Sequence, residues 1–292
     1  GLSVALISGG PEPVVGTRRV QARTRLLVRA FGVLGIGALT LVLGTPIAVI
    51  LPTYALLFAV ATMLLGTAPD KLLVGAAVVA VAGPLVHVTF GPLFARLPGR
   101  AYTDLVVGDH YPAVVWVAYV LVGLAVGRLD LTASRVRVRL LVVGAALAVL
   151  GHGAAALLTR AVEPGSTLAL LVTSEPHSSA PPEVLANVGV GLAVLALCLV
   201  LGDRAPRLLA PLAATGALAL TAYVVHLLAI TALGPQVVWE PTTAVWLAFV
   251  GCTLAGCWLW RAALGRGPLE RALHTLAARA SDLSPDTLPP RT

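Results

Sequence analysis

The sequence predicts an all-α fold, a polytopic transmembrane helical bundle of about eight complete spans with an N-terminal half-span fragment ahead of them. Three observations predict it. Hydrophobic residues make up 58% of the 292 positions and charged residues only 11%, against about 25% charged in soluble domains. The mean hydropathy is +0.93, so the chain carries more apolar surface than one water-facing globule can hide. Finally, the basic residues crowd into alternate gaps between apolar runs, which is how bilayer orientation arranges them. The formal charge of +7 therefore reads as topology and not as a nucleic-acid footprint.

The elements follow in order. Residues 1–7 look like the second half of a hydrophobic helix, so an N-terminal helix is expected to be truncated. Eight runs then approach the roughly 20 apolar residues a span needs: 26–44, 47–65, 72–90, 111–127, 140–159, 184–201, 208–233 and 242–260. A tight turn somewhere between Gly44 and Pro52 separates the first two. The fourth run is the shortest. The seventh is the longest and is expected to tilt or emerge from the bilayer. The transmembrane domain is thus assigned to 1–262. Leu264, Leu269, Leu273 and Leu276, interleaved with Arg266, Arg271 and Arg279, predict a cytoplasmic amphipathic helix over 263–281. The Pro-rich end, 282–292, reads as disordered.

Charge sets the orientation. Arg18, Arg19, Arg23, Arg25 and Arg29 precede the first run and Lys71 the third. Arg128, Arg135, Arg137 and Arg139 precede the fifth, and Arg204 and Arg207 the seventh. Arg261, Arg266, Arg271, Arg279 and Arg291 follow the eighth. Only Arg96, Arg100 and Arg160 fall on the opposite side. The positive-inside rule puts the larger group in the cytoplasm. The expected location is a bacterial cytoplasmic membrane with the C-terminus inside.

With that orientation the polar residues gather outside. The loops 91–110, 160–183 and 234–241 carry Asp104, Asp109, His110, Glu163, Glu175, His177, Glu183 and Glu240, and His87, His152 and His226 fall in the outer halves of their spans. Ionisable side chains within spans usually face a bundle interior or a wet cavity, although a histidine bonded to a neighbouring helix meets the same pattern.

Three constellations stand out. The first is His110-Tyr111-Pro112, then Trp116, Tyr119, Gly123 and Gly127-Arg128. Trp116, Tyr119, Gly123 and Gly127 recur at three and four residues and so share one helix face, and Gly123 with Gly127 forms a small-residue groove. The second is Ser174-Glu175-Pro176-His177-Ser178-Ser179 followed by Glu183 and Asn187. Here a carboxylate at a helix start is kept ionised by the helix dipole, and His177 is placed to act as a general base. The third is Thr221-Ala222-Tyr223 with His226, where a tyrosine hydroxyl one turn away would fix the imidazole tautomer. Helix packing, a solvated loop with a helix cap, and interhelical glue are the respective structural alternatives. No phosphate loop, zinc motif or serine-nucleophile elbow is present. Cys198, Cys252 and Cys257 lie inside apolar runs without metal-like spacing, and no metal is expected.

In this order, Tyr111-Pro112, Trp116, Tyr119, Gly123 and Gly127-Arg128, then Pro176-His177-Ser178, Glu183, Asn187 and Gly189, then Leu220-Thr221-Ala222-Tyr223 and His226-Leu227 resemble a bacterial, largely actinobacterial family of multi-pass proteins. This is the YeiB-like domain of unknown function 418, related to the catalytic domain of heparan-α-glucosaminide N-acetyltransferase. The segment 51–58 fits the same pattern. The resemblance implies a membrane acyltransferase that takes an acetyl group from cytosolic acetyl-CoA to an extracytoplasmic sugar or cell-envelope acceptor. It implies, too, a catalytic histidine on an early helix that would precede Gly1.

On that reading His177 or His226 removes the acceptor proton, with Glu183 orienting the imidazole. Tyr111, Trp116, Asn187 and Tyr223 line the acceptor pocket, and Arg128 meets a CoA phosphate. Besides the bilayer, the partner is then the acceptor, and no nucleic acid is expected. Two other readings stay open. One is a small-solute or lipid transporter, for which Gly- and Pro-interrupted spans such as 81–84 are suited. The other is a non-catalytic membrane scaffold.

Overall fold

A computed structural model describes residues 1–96 and 101–281. Among them the secondary structure is helical, without strands. The helices are α1 (Leu2–Ile7), α2 (Gly16–Val42), α3 (Leu51–Met63), α4 (Pro69–Phe94), α5 (Ala101–Val107), α6 (Ala113–Val126), α7 (Ser134–Leu158), α8 (Thr167–Val172), α9 (Pro181–Arg204), α10 (Ala210–Ala217), α11 (Ala219–Leu233), α12 (Gln236–Trp239), α13 (Thr243–Leu264) and α14 (Pro268–Ala280). The tail 282–292 and Arg100 lie outside the described residues.

The expected eight spans are not reproduced. Five helices are long and apolar enough to cross a membrane: α2, α4, α7, α9 and α13. A sixth is reached if α10 and α11, bent by 85° at their junction, count as one span. Two of the expected spans are short helices of 13 and 14 residues, α3 and α6. At 1.5 Å per residue each is about 20 Å long, short of the roughly 30 Å hydrocarbon core. A hydropathy window registers apolar composition across a break as readily as along a helix, which is why 47–65 and 208–233 looked like whole spans. The protein is nonetheless a multi-pass helical membrane protein. Large apolar side chains such as Phe31, Leu39, Val42, Val149 and Leu157 stand exposed along these helices. Water would penalise that surface at about 25 cal/mol per Å², and hydrocarbon does not.

Local chemistry explains several boundaries. Pro69 opens α4, where its missing N–H is not needed, with Asp70 in the first turn. Ser166 caps α8 and Thr242 caps α13, each accepting from a backbone N–H at 3.2 Å. Gly265, at φ 76°, ends α13.

The helices form two compact units, Gly1–Ala22 with Leu56–Val200 and Arg23–Ala55 with Leu201–Thr292. In the first, α4 and α6 pack closely. A Cβ on Gly83 would stand 2.6 Å from the Val114 carbonyl oxygen, and Val115, Ala118 and Val184 form a buried cluster beside that contact. The groove of Gly123 and Gly127 on α6 is filled by α1, since added Cβ atoms there would strike Leu2 N at 2.8 Å and Ala5 Cβ at 2.3 Å. Helices α7 and α9 meet through small residues. Cβ atoms on Gly144, Gly151 and Gly189 would all fall within 2.6 Å of the facing backbone, the close approach that small-residue interfaces allow in membranes.

Arg128 completes this unit and is almost fully buried. Its Nη1 donates to the carbonyls of Ala5, Ser8 and Gly10, and its Nη2 to Ser8 Oγ and the Leu65 carbonyl, at 2.8 to 3.3 Å. The guanidinium thus closes the C-terminal end of α1, where a cation is favoured. Both terminal nitrogens, expected from the resemblance to meet a CoA phosphate, are engaged by the protein itself.

In the second unit, α10 packs on α13 through Ala214, Leu218 and Cys257. Leu273 and Ala277 form the buried face of α14.

Candidate functional site

The first unit holds a cleft of about 470 Å³ lined by His110, Trp116, Tyr119, His152, Ser174, Pro176, His177, Ser179, Glu183 and Asn187. Such a volume suits a small ligand. One buried carboxylate organises it. Glu183 is the third residue of α9, and the loop ahead of the helix folds back over its side chain. Its Oε1 accepts from the His177 N–H at 2.9 Å and from Asn187 Nδ2 at 3.3 Å. Its Oε2 accepts from the Ser179 N–H at 2.6 Å and from the Ser178 hydroxyl at 3.1 Å. The helix dipole adds to this favourable setting for an anion.

The loop reaches that geometry by placing two non-glycine residues in the left-handed region, His177 at φ 63° and Ser179 at φ 55°. Each sits about 1 kcal/mol or more above an ordinary conformation. The four hydrogen bonds to Glu183 hold them there. Glu183 therefore fixes His177 through its backbone N–H, not through its ring as expected. The imidazole itself is exposed in the cleft.

An aromatic wall faces it. The His177 ring stands 5.6 Å from Tyr111, edge to face, and 6.3 Å from His110. Tyr111 meets Trp116, and Trp116 meets Tyr119, each at 5.3 Å and again edge to face. Asn187 Nδ2 then donates to the Tyr119 hydroxyl at 3.4 Å, returning the chain of contacts to Glu183. On the far wall, His152 Nδ1 lies 3.3 Å from Ser174 Oγ. Gly151, pressed against Pro182 and Ala186 of α9, is what brings His152 to this end of α9. His87 is used structurally. Its Nδ1 lies 3.1 Å from the Val107 carbonyl, so that nitrogen carries a proton and ties α4 to the end of α5.

Of the residues singled out from sequence, Tyr111, Trp116, His177, Glu183 and Asn187 are brought together here. Arg128 lies about 18 Å along the helix axis from Trp116, at the other end of α6. His110, Tyr119, His152, Ser178 and Ser179 also belong to the arrangement. The first three carried a signal in their type and spacing. The two serines stood out only as members of the 174–179 segment, because their part depends on where the loop turns.

Tyr223 and His226 belong to the second unit. His226 lines two clefts of about 440 and 500 Å³ with mostly apolar walls, and its ring stands 5.5 Å from Phe249. The Tyr223 hydroxyl accepts from the Ile50 N–H at 3.4 Å. Nearby, at the break between α10 and α11, the Thr221 N–H donates to Glu270 Oε1 at 2.9 Å and the Thr221 hydroxyl donates to Oε2. Glu270 is the third residue of α14 and Thr221 the third of α11, so one carboxylate serves the positive ends of two helices. Among the described residues, no group of three or more His, Cys, Asp or Glu side chains could hold a metal ion.

Residues 128–280 match a family described as protein of unknown function (DUF418). The chain belongs to the DUF418 family. The matched part carries His152, the His177–Asn187 segment, Tyr223, His226 and the Thr221–Glu270 contact, while the aromatic wall of Tyr111, Trp116 and Tyr119 precedes it. No curated protein and no solved structure matches this DUF418 chain.

Proposed function

We propose that this protein is a membrane acyltransferase whose acceptor site is the His177 cleft. The observation that carries the reading is an exposed imidazole whose backbone is pinned by the buried Glu183 carboxylate, facing the Tyr111, Trp116 and Tyr119 rings. Aromatic faces beside an amide and imidazoles suit a sugar or another hydroxyl- or amine-bearing envelope acceptor. His177 takes the proton from the acceptor oxygen or nitrogen as that atom attacks the acyl carbonyl. The acceptor–acyl bond forms, the thioester C–S bond breaks, and the proton passes to the departing thiolate. A cytosolic acyl-CoA, acetyl-CoA in the simplest case, is the donor. The distribution of basic residues supports an extracytoplasmic cleft and a cytoplasmic C-terminus.

Labelled acetyl-CoA supplied to membranes containing the full-length protein tests this. Replacing His177 by Gln is expected to lower label transfer by about 100-fold or more, the usual contribution of a general base. Transfer that is absent, or indifferent to His177, refutes the reading.

A second reading is favoured by the 85° break between α10 and α11, since interrupted helices recur in transporters. Flux of solute into proteoliposomes without acyl transfer would select it.

A further inference from the structure

Helix α14 is laid antiparallel along α2. Near its middle, Leu273 presses on Gly32, where an added Cβ would fall 2.2 Å from Leu273 Cδ2. At its end, Arg25 Nε donates to Ser281 Oγ at 2.8 Å. Between these two contacts lies Arg29, four residues from Arg25 on one face of α2. Arg266 stands just ahead of α14. The imidazole of His274, next to Leu273, is pushed below its ordinary value first by burial and then by Arg266, Arg29 and Arg25. Among the described residues no carboxylate pairs with Arg29, Arg266 or His274.

Among the described residues of α14, the one carboxylate, Glu270, is committed elsewhere, held by Thr221. Arg271 is likewise taken, donating to the Leu264 carbonyl at 2.8 Å. Apolar groups flank the cations, with Leu264 and Leu276 more than half exposed. Cations beside exposed leucines on a helix lying along the start of a membrane span match the boundary between headgroup and acyl chain.

We propose that the junction of α2 and α14 seats the phosphate of an anionic phospholipid headgroup, with Arg29 and Arg266 as its main cations and Leu264 and Leu276 against its acyl chains. The charge calls for an anion, and the adjoining leucines call for one that carries hydrocarbon.

The test uses the full chain purified in neutral detergent and titrated with phosphatidylglycerol or phosphatidylcholine, with bound lipid counted by native mass spectrometry. Phosphatidylglycerol should be preferred. Arg29→Gln and Arg266→Gln should each weaken it by about fivefold, as expected for one basic residue near an anionic surface. The pair Arg135→Gln with Arg139→Gln removes two charges, twice what either test variant removes, from the exposed start of α7 and should leave the preference unchanged. Arg266 lies between helices, so its substitution reads binding even if the Arg29 variant misfolds. The proposal is overturned if Arg266→Gln keeps the preference within twofold of the native chain. It is overturned equally if the control pair loses as much, or if equimolar inorganic phosphate displaces the lipid and so reveals a free-phosphate site.

Discussion

Replacing Glu183 by Gln tests the organisation of the cleft directly. The carboxylate accepts four hydrogen bonds, two on each oxygen. A carboxamide keeps one acceptor oxygen and turns two N–H donors toward the donors of the other pair. Set to retain His177 and Asn187, it leaves the buried Ser179 N–H facing an N–H in place of its acceptor, while the Ser178 hydroxyl can turn to accept. An unsatisfied buried donor costs about 1–3 kcal/mol, and the surviving bonds lose their charge assistance. The left-handed backbone at His177 and Ser179 then favours release. A net loss near 3 kcal/mol follows, a factor of about 100 in the opening equilibrium. Amide hydrogen exchange over 174–180 reads it without any knowledge of substrate. Exchange of the His177 and Ser179 amides should accelerate about 100-fold, while α4 and α6 keep their protection. Exchange within threefold of the native chain would refute the view that Glu183 holds the loop.

Three further predictions follow from the same structure. Arg128→Met keeps bulk but takes the guanidinium donors from the Gly10 and Leu65 carbonyls and the Ser8 hydroxyl, while the Ala5 and Ser8 carbonyls keep backbone donors, so the denaturation midpoint in detergent should fall by the equivalent of about 3 kcal/mol; Arg128→Lys, with three donors, should recover part of it. Gly189→Ala forces a methyl against the Ala148 backbone at 2.3 Å, whereas Gly191 faces open space; the first should destabilise by about 1–3 kcal/mol and Gly191→Ala should not, as read by thermal unfolding. His274 should titrate below free imidazole by NMR, and Arg266→Gln should raise it. Because folding lowers this pKa, the unfolded chain binds the extra proton, so the His274 contribution is complete above the unfolded pKa and is lost as pH falls toward the folded value.

Hydropathy made the long helices legible, because α4, α7, α9 and α13 are continuous in both composition and backbone. It could not distinguish the short α3 and α6 or the bent α10–α11 pair, whose ends are set by packing and by a turn at Leu218. For the cleft, residue type and spacing pointed to Tyr111, Trp116, His177, Glu183 and Asn187. The way Glu183 acts was hidden, since nothing in Pro-His-Ser-Ser announces two left-handed non-glycine residues. Arg128 read as a positive-inside residue and, from the resemblance, as a contact for a CoA phosphate. Only the end of α1, 118 positions or more away along the chain, turns it into a buried clamp.

The carboxylate shared by α11 and α14 bears on how the protein is made. Thr221 and Glu270 are 49 residues apart, with the whole of α13 between them. During synthesis α11 therefore emerges with its leading amide groups unanswered, and they stay so until the chain has passed α13 and begun α14. The bend at Leu218 is thus completed only once α14 has been made. Nascent chains stopped before Pro268 would carry a second unit that is correctly threaded but not yet locked.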